Sequence, residues 1–245
     1  VVIGGSGFLG SFTADELSSR GYNVTIFDSN ESKWIKDNQE IKLGNILDLE
    51  VLKQVFTGID IVYHFAGISD IKEAVDKPYE TININVMGTT CILEALRSVG
   101  VKRFVYASTM YVYSPYGSYY RASKQAAETI IEAYSEAYDI QYTFLRYGSL
   151  YGPRSQDWNG LRRYIKQIIR HGELSYDGSG REKREYIHVQ DAARLSVDIL
   201  DHEHENKAVT VTGTQIMSSG DLLEMIFEIT GKAPKIKYID NGRHD

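Results

Sequence analysis

The 245-residue chain has a single cysteine, Cys91, which excludes a disulfide framework and fits the reducing compartment of a cytoplasmic protein. No apolar run approaches the ~18 residues needed to span a membrane, so no membrane association is expected. Twenty-seven lysines and arginines stand against thirty-three acids, for a net charge of −6. With no basic block in that balance, a nucleic-acid surface is not expected. There is no internal repeat and no low-complexity linker. No methionine precedes Val1, which already lies in a strand-like run, and the end at Gly242-Arg243-His244-Asp245 is abrupt. Both termini are therefore expected to be incomplete.

Two further motifs are missing. Gly10 is followed by Ser11 and Phe12 rather than by the Lys-Ser/Thr of a P-loop. A nucleophile elbow starting at Gly4 would need glycine at position 8, which is Phe8. Phosphate transfer and serine hydrolysis both fall. His202-Glu203-His204-Glu205 has the look of a metal tract, but its place after a helix reads as a solvated loop. His64 and His188 lie in apolar segments and read as core or loop residues. No metal site is expected.

What remains is an ordinary globular balance, 42% hydrophobic and 24% charged, long enough for one large α/β domain with a small companion. Short apolar runs at Val1–Ile3, Asn23–Phe27, Ile41–Leu43, Ile59–Phe65, Arg103–Ala107 and Tyr142–Arg146 read as buried strands. They alternate with helical spacing over Phe8–Arg20, Leu49–Phe56, Thr81–Val99 and Ser123–Tyr138. The expected fold class is α/β, a Rossmann-type doubly wound parallel sheet with a smaller C-terminal substrate-binding domain. Residues 1–147, with 186–212 returning, form the expected dinucleotide-binding domain; 148–185 and 213–245 form the smaller one. In the latter, a helix near Gly160–His171 precedes the turn Asp177-Gly178-Ser179-Gly180, and Ser219–Ile239 reads as a helix then a strand.

Gly4-Gly5-Ser6-Gly7-Phe8-Leu9-Gly10 follows the first strand and opens the first helix. Glycines at 4, 7 and 10 permit a tight turn, close approach to a pyrophosphate and close helix–strand packing. Asp28 ends the second strand, 18 residues after Gly10. An acid there accepts hydrogen bonds from a ribose 2′-hydroxyl and repels a 2′-phosphate, which selects NAD over NADP. Its simpler use would be as a cap before Asn30.

Tyr120 and Lys124 are four apart at the start of a helical segment, so both project from one face. A free phenol titrates near 10 and is a poor base at neutral pH. A fixed cation beside it favours the phenolate. In a chain with 18 tyrosines such a pair also arises by accident, so its context decides.

That context resembles the extended short-chain dehydrogenase/reductase family, in its NAD-dependent epimerase/dehydratase group. The marks are the glycine turn, Gly44-Asn45-Ile46, His64-Phe65-Ala66-Gly67, Asn85-Val86-Met87-Gly88-Thr89, Tyr106-Ala107-Ser108-Thr109, Tyr120…Lys124, Leu145-Arg146-Tyr147…Tyr151-Gly152-Pro153-Arg154 and Arg184-Glu185-Tyr186-Ile187-His188-Val189-Gln190-Asp191. The resemblance implies that Tyr120 is the acid/base, that Lys124 holds the nicotinamide ribose, and that Thr109 hydrogen-bonds the reacting sugar oxygen. It implies further cofactor contacts at Gly4, Gly7, Phe8, Leu9, Gly10, Asp28, Asn30, Asn45, Ile46, Phe65, Ala66, Gly67, Asn85, Ser108 and Tyr147. On the substrate side it implies Thr109, Ser149 and Arg184, the last as a clamp on the diphosphate of a nucleotide sugar. A homodimer through helices matching Thr81–Val99 and Ser123–Tyr138 is implied as well.

Several positions depart from the family pattern. Asn45 stands where an aspartate is usual. Met110 and Tyr111 follow Thr109 where dehydratases carry an acid pair and decarboxylases a nearby glutamate. Neither residue is a carboxylate, so the simplest surviving chemistry is transient oxidation of a hydroxyl, most often at C4, and re-reduction: epimerisation. Ser149 replaces a usual asparagine, and only Ser114–Tyr119 separate Tyr113 from Tyr120. An unusual sugar specificity is expected from both. A keto-sugar reductase or dehydratase of the same family, and a non-catalytic dinucleotide-binding regulator, are the competing readings.

Overall fold

The computed structural model describes residues 1–239. The expectation for Gly242–Asp245 lies outside the described residues. The chain divides into two compact units, one of Val1–Tyr147 with Gln190–Val211, the other of Gly148–Val189 with the residues from Thr212 on.

The first unit runs β1 (Val2–Ile3), α1 (Phe8–Ser19), β2 (Val24–Asp28), β3 (Gln39–Leu43), α2 (Leu49–Phe56), β4 (Ile61–His64), α3 (Ile71–Asp76), α4 (Pro78–Ile82), α5 (Gly88–Val99), β5 (Arg103–Thr109), α6 (Ser118–Tyr138) and β6 (Gln141–Tyr147). The second unit follows with β7 (Ser149–Tyr151), α7 (Gly160–His171), β8 (Leu174–Asp177) and β9 (Lys183–His188). Next come α8 (Val189–Asp198), which carries the chain back into the first unit, and β10 (Lys207–Val211). Then β11 (Ile216–Ser218), α9 (Ser219–Ile229) and β12 (Ile236–Ile239) complete the second unit.

Among the described residues, seven strands of the first unit form one sheet in the order β10-β6-β5-β4-β1-β2-β3. Every pairing in it is parallel. Parallel strands need crossovers that cover both faces, so the central ones are almost wholly apolar. Ile3, Phe27, Val62, Phe104 and Phe144 are buried together with Leu52, Phe56, Ile92, Leu93, Leu96 and Ile131 from the helices. The chain order reverses between β1 and β4. Ligands of open parallel sheets collect there, outside the carboxyl ends of the strands.

The helices differ from expectation in two places. The periodicity over Thr81–Val99 predicts one helix, but α4 ends at Ile82 and a π turn, Asn83–Met87, separates it from α5. The reason is tertiary. Asn85 is drawn out of register to bond Ile68 and Ser123, and π turns of this kind recur at functional sites. Helix α6 begins at Ser118 rather than Ser123. Two of the six expected loop residues, Ser118 and Tyr119, are therefore helical. The remaining loop is tied down from α6: Arg121 donates to the Ser114 carbonyl at 2.9 Å and Gln125 to the Val112 carbonyl at 2.9 Å.

In the second unit, β9 pairs in parallel with β7 and antiparallel with β11, and β12 pairs with β8. Residues 186–188 thus belong to this unit's sheet. Ile168, Leu174, Tyr176, Leu222, Leu223, Ile226 and Phe227 form its core. The turn at 177–180 is held by Glu182, whose carboxylate accepts from the Ser179 amide at 2.6 Å and from the Tyr176 hydroxyl at 3.2 Å.

Candidate active site

The cofactor-side residues expected from the sequence collect at the carboxyl ends of β1, β2, β4 and β5. Gly4 follows β1, Asp28 ends β2, Phe65 follows β4 and Thr109 ends β5. Gly4 has φ +78°, and a Cβ there would lie 2.5 Å from the Ala66 amide nitrogen. A Cβ on Gly10 would lie 2.2 Å from the Gly4 carbonyl oxygen. The turn is thus packed so tightly that side chains are excluded at both positions.

Helix α1 starts with no side-chain cap at Gly7 and no acid in its first turn. Its free N–H groups and the positive end of its dipole suit a pyrophosphate. Asp28 receives the Ser6 amide on one oxygen and the Asn30 amide on the other, each at 3.0 Å. This fixes the carboxylate while each oxygen keeps a lone pair for a ribose hydroxyl. These features fit NAD.

The other expected cofactor contacts are placed as follows. Ile46 is buried under Gly88, whose added Cβ would meet its Cδ1 at 2.5 Å. Asn45 is exposed, and its side-chain oxygen accepts from the Leu47 amide at 3.0 Å. Asn85 is buried and serves as a clamp: its oxygen accepts from the Ile68 amide at 2.8 Å, and its nitrogen donates to the Ile68 carbonyl and the Ser123 hydroxyl at 2.9 Å. The Tyr147 hydroxyl is buried against the Ser196 hydroxyl of α8 at 2.6 Å.

Tyr120 and Lys124 lie in the first two turns of α6, beside the end of β5. Burial pushes the Tyr120 phenol up to about 12, partly offset by the Thr109 hydroxyl. Its ring meets that of Tyr111 edge-on at 6.2 Å. Lys124 Nζ donates to the Ala107 carbonyl at 2.7 Å and sits 4.6 Å from the centre of the Tyr106 ring. Burial lowers its pKa to about 8, partly offset by Glu128. The ammonium is therefore a desolvated cation held on β5, where its field acts on its surroundings more strongly than in water.

Sequence reasoning missed the group behind this pair. Glu128, one turn beyond Lys124, is 7% exposed. It accepts from the Ser108 hydroxyl at 2.6 Å and from Arg146 of β6 through two bonds, at 3.0 and 2.7 Å. Arg146 in turn donates to the Tyr113 phenol and stacks over that ring at 4.8 Å. Two signals were available: the Lys-x-x-x-Glu spacing and an arginine inside an otherwise apolar strand.

His64 lies just below, fully buried, with Nε2 3.1 Å from the Thr89 hydroxyl and Nδ1 without a partner. Arg184 and Ser149 belong to the second unit, on β9 and β7. Burial raises the phenols of Tyr164, Tyr176 and Tyr186, and the Arg184 charge offsets part of each rise. His202–His204 form a 3-10 turn in which His202 pairs with Glu205 at 2.8 Å. Among the described residues no helix is long and apolar enough to cross a membrane.

Known proteins similar to this chain in sequence and fold are numerous. A sequence profile of the NAD dependent epimerase/dehydratase family matches residues 1–212. The UDP-glucose 4-epimerase of Erwinia amylovora is 33% identical over 251 residues, covering 82% of this chain and 73% of that one. The UDP-N-acetyl-alpha-D-glucosaminuronate decarboxylase of Bacillus cytotoxicus is 29% identical over 266 residues, covering 98% and 82%. Among solved structures, the Thermotoga maritima UDP-glucose 4-epimerase with UDP-glucose superposes with a TM-score of 0.90 at 25% identity, over 99% of this chain and 86% of that one. The Thermus thermophilus UDP-glucose 4-epimerase in complex with NAD shares the fold at a TM-score of 0.87 and 24% identity, over 99% and 87%. The glycine cradle and the fixed Asp28 accord with this likeness: the chain belongs to the NAD dependent epimerase/dehydratase family and is an NAD-dependent enzyme.

Proposed function

We propose that this enzyme epimerises a nucleotide-diphosphate sugar at a hydroxyl-bearing carbon, C4 being the family's commonest position. The observation that carries the reading is the placing of Tyr120 and the buried Lys124 in the first turns of α6, with Lys124 bonded to Ala107 near Thr109 at the end of β5, and with Met110 and Tyr111, not carboxylates, as the residues after Thr109. Thr109 holds the sugar hydroxyl beside the phenol oxygen. Tyr120, as phenolate, takes the hydroxyl proton as the carbon gives up its hydride and becomes a ketone. The Lys124 ammonium lowers the cost of that phenolate. Bound NAD supplies a hydride acceptor that works reversibly, and so needs no external reductant. After the ketone presents its other face, Tyr120 returns the proton.

Gly4, Gly7, Phe8, Leu9 and Gly10 would hold the pyrophosphate, and Asp28 with Asn30 the adenosine ribose. Asn45 and Ile46 would flank the adenine, with Phe65, Ala66, Gly67, Asn85, Ser108 and Tyr147 on the nicotinamide side. The second unit is the substrate-binding part in this reading, with Ser149 near the sugar phosphates and Arg184 clamping the diphosphate through its planar fork. UDP is the first nucleotide to try, because the relatives named above act on UDP-sugars. A cytoplasmic homodimer contacting through α5 and α6 completes the proposal.

The test is incubation of the NAD-loaded protein with UDP-, dTDP-, CDP- and GDP-sugars. Interconversion of two epimers with no net change in nicotinamide absorbance is the expected result. Stoichiometric consumption of NADPH would make the enzyme a keto-sugar reductase instead. Water loss or carbon dioxide release would make it a dehydratase or a decarboxylase.

A further inference from the structure

Glu128 touches neither the expected proton donor nor the glycine turn, yet it is buried in contact with three elements. On its own helix it sits one turn beyond Lys124. On β5 it accepts from Ser108 at 2.6 Å, and Ser108 directly precedes Thr109. On β6 it accepts from Nε and Nη2 of Arg146 at 3.0 and 2.7 Å. Arg146 continues to the Tyr113 phenol at the end of the 3-10 turn Met110–Tyr113. A buried carboxylate is retained only when its partners repay its desolvation, and removal of one partner strands the other.

We infer that Glu128 is the positioning residue of this site: through its bonds to Ser108 and Arg146 it locks β5 and the 110–113 turn onto α6, and its carboxylate, buried one helical turn from Lys124 and bonded to the residue of β5 after Ala107, is that lysine's counter-charge. The inference rests on the proposed role of Lys124 beside Tyr120, and it adds the source of that lysine's charge.

The surroundings of Lys124 leave Glu128 as the group able to do this. From α6 the titratable neighbours are Tyr120 and Glu128. From β5 come the Tyr106 ring and the Ala107 carbonyl, and from β4 comes His64, which is neutral in its buried site. Arg146 and Tyr142 of β6 face Glu128. Of these, Glu128 is the carboxylate, and its charge supports the ammonium. A neutral Lys124 could not favour the Tyr120 phenolate, so the charge on Glu128 would set the alkaline limit of activity.

The experiment is E128Q, read by the Nζ titration of Lys124 in 15N-lysine-labelled protein, with the signal assigned by its loss in K124M. Glutamine keeps an acceptor for Ser108 and Arg146 Nε, removes the charge, and turns the oxygen facing Arg146 Nη2 into a donor. The Lys124 midpoint should fall by about one pH unit, and the alkaline limb of kcat/KM should move down with it. An unchanged midpoint, with activity lowered equally at every pH, would overturn the inference and leave Glu128 a purely structural clamp. Should E128Q fold poorly, E128Q/R146M removes both charges and leaves neither unpaired. Its Lys124 midpoint should fall likewise, since Glu128 and not Arg146 supports the ammonium. The Nζ titration requires no sugar, so a failure to epimerise any nucleotide sugar would sink the proposed reaction and leave this result standing.

Discussion

Asn85 Nδ2 donates to the Ser123 hydroxyl at 2.9 Å, and Ser123 in turn donates to the Tyr120 carbonyl at 2.8 Å. The π turn is thereby fastened to the first turn of α6, the stretch that carries Tyr120. Because Asn85 also satisfies the amide and carbonyl of Ile68, Asn85→Ala strands two backbone groups. A loss of about 1–3 kcal/mol in urea unfolding is expected. Asn85→Asp keeps the acceptor for Ile68 N–H but loses the donor, and should fall between the two.

Tyr120→Phe removes the group that moves the proton and little else. Turnover should drop about 10²- to 10⁴-fold while NAD affinity is retained. Product formation followed by chromatography, with cofactor binding followed by calorimetry, checks both halves. Full activity in this variant would end the proposed mechanism.

Lys124→Met removes the Lys124 cation and leaves Tyr120 a phenol that burial holds above its ordinary value. Below that value the phenolate fraction grows about tenfold per pH unit. The residual rate of the variant should therefore rise steadily from pH 7 to 10. The wild-type rate, by contrast, should decline above about 8, where Lys124 loses its charge.

His64 gives a stability prediction of the opposite pH sense. Burial lowers it from 6.5 to about 3. Thr89 donates its hydroxyl hydrogen to the Asn85 carbonyl, so it accepts from His64 Nε2–H and leaves Nδ1 bare. Between about 3 and 6.5 the unfolded chain binds a proton that the folded chain refuses. Stability therefore rises with pH across that window and is lost on acidification, by up to about 1.4 kcal/mol per pH unit. His64→Leu should be less stable at pH 7 by about 1 kcal/mol, with a flatter slope between pH 6.5 and 5 in urea midpoints.

Gly10→Ala tests the cradle. Its methyl would overlap the Gly4 carbonyl at 2.2 Å, so the turn must open. NAD affinity should fall at least about tenfold, since the helix N-terminus no longer meets the phosphates at the same angle. Fluorescence titration with the reduced cofactor measures it.

The alternation of apolar runs and helical spacing carried the sheet because each β–α step is local and its strands are buried on both faces. The glycine turn and Asp28 were legible for the same reason: chain neighbours define them. The π turn was not, since the force that makes it is the long-range bond from Asn85 to Ser123, and the local periodicity of Thr81–Val99 is compatible with a plain helix. Helix α3 is six residues long, too short for its period to stand out. Glu128 was overlooked because a charge on a helix is usually solvated. Only the fold shows that this one faces Ser108 and Arg146. The strands of the second unit are three to six residues long and pair with partners distant in sequence, so turns alone marked them.

The edge strand β10 begins at Lys207, while its neighbour β6 ends at Tyr147. During synthesis the ribosome must therefore deliver most of the second unit before the flank of β6 is covered. Until then the nascent chain displays an unpaired, largely apolar strand border, the kind of template on which chains associate wrongly. Truncations after Tyr147 should aggregate for that reason, and a chaperone acting on this protein would find its most useful target on that border.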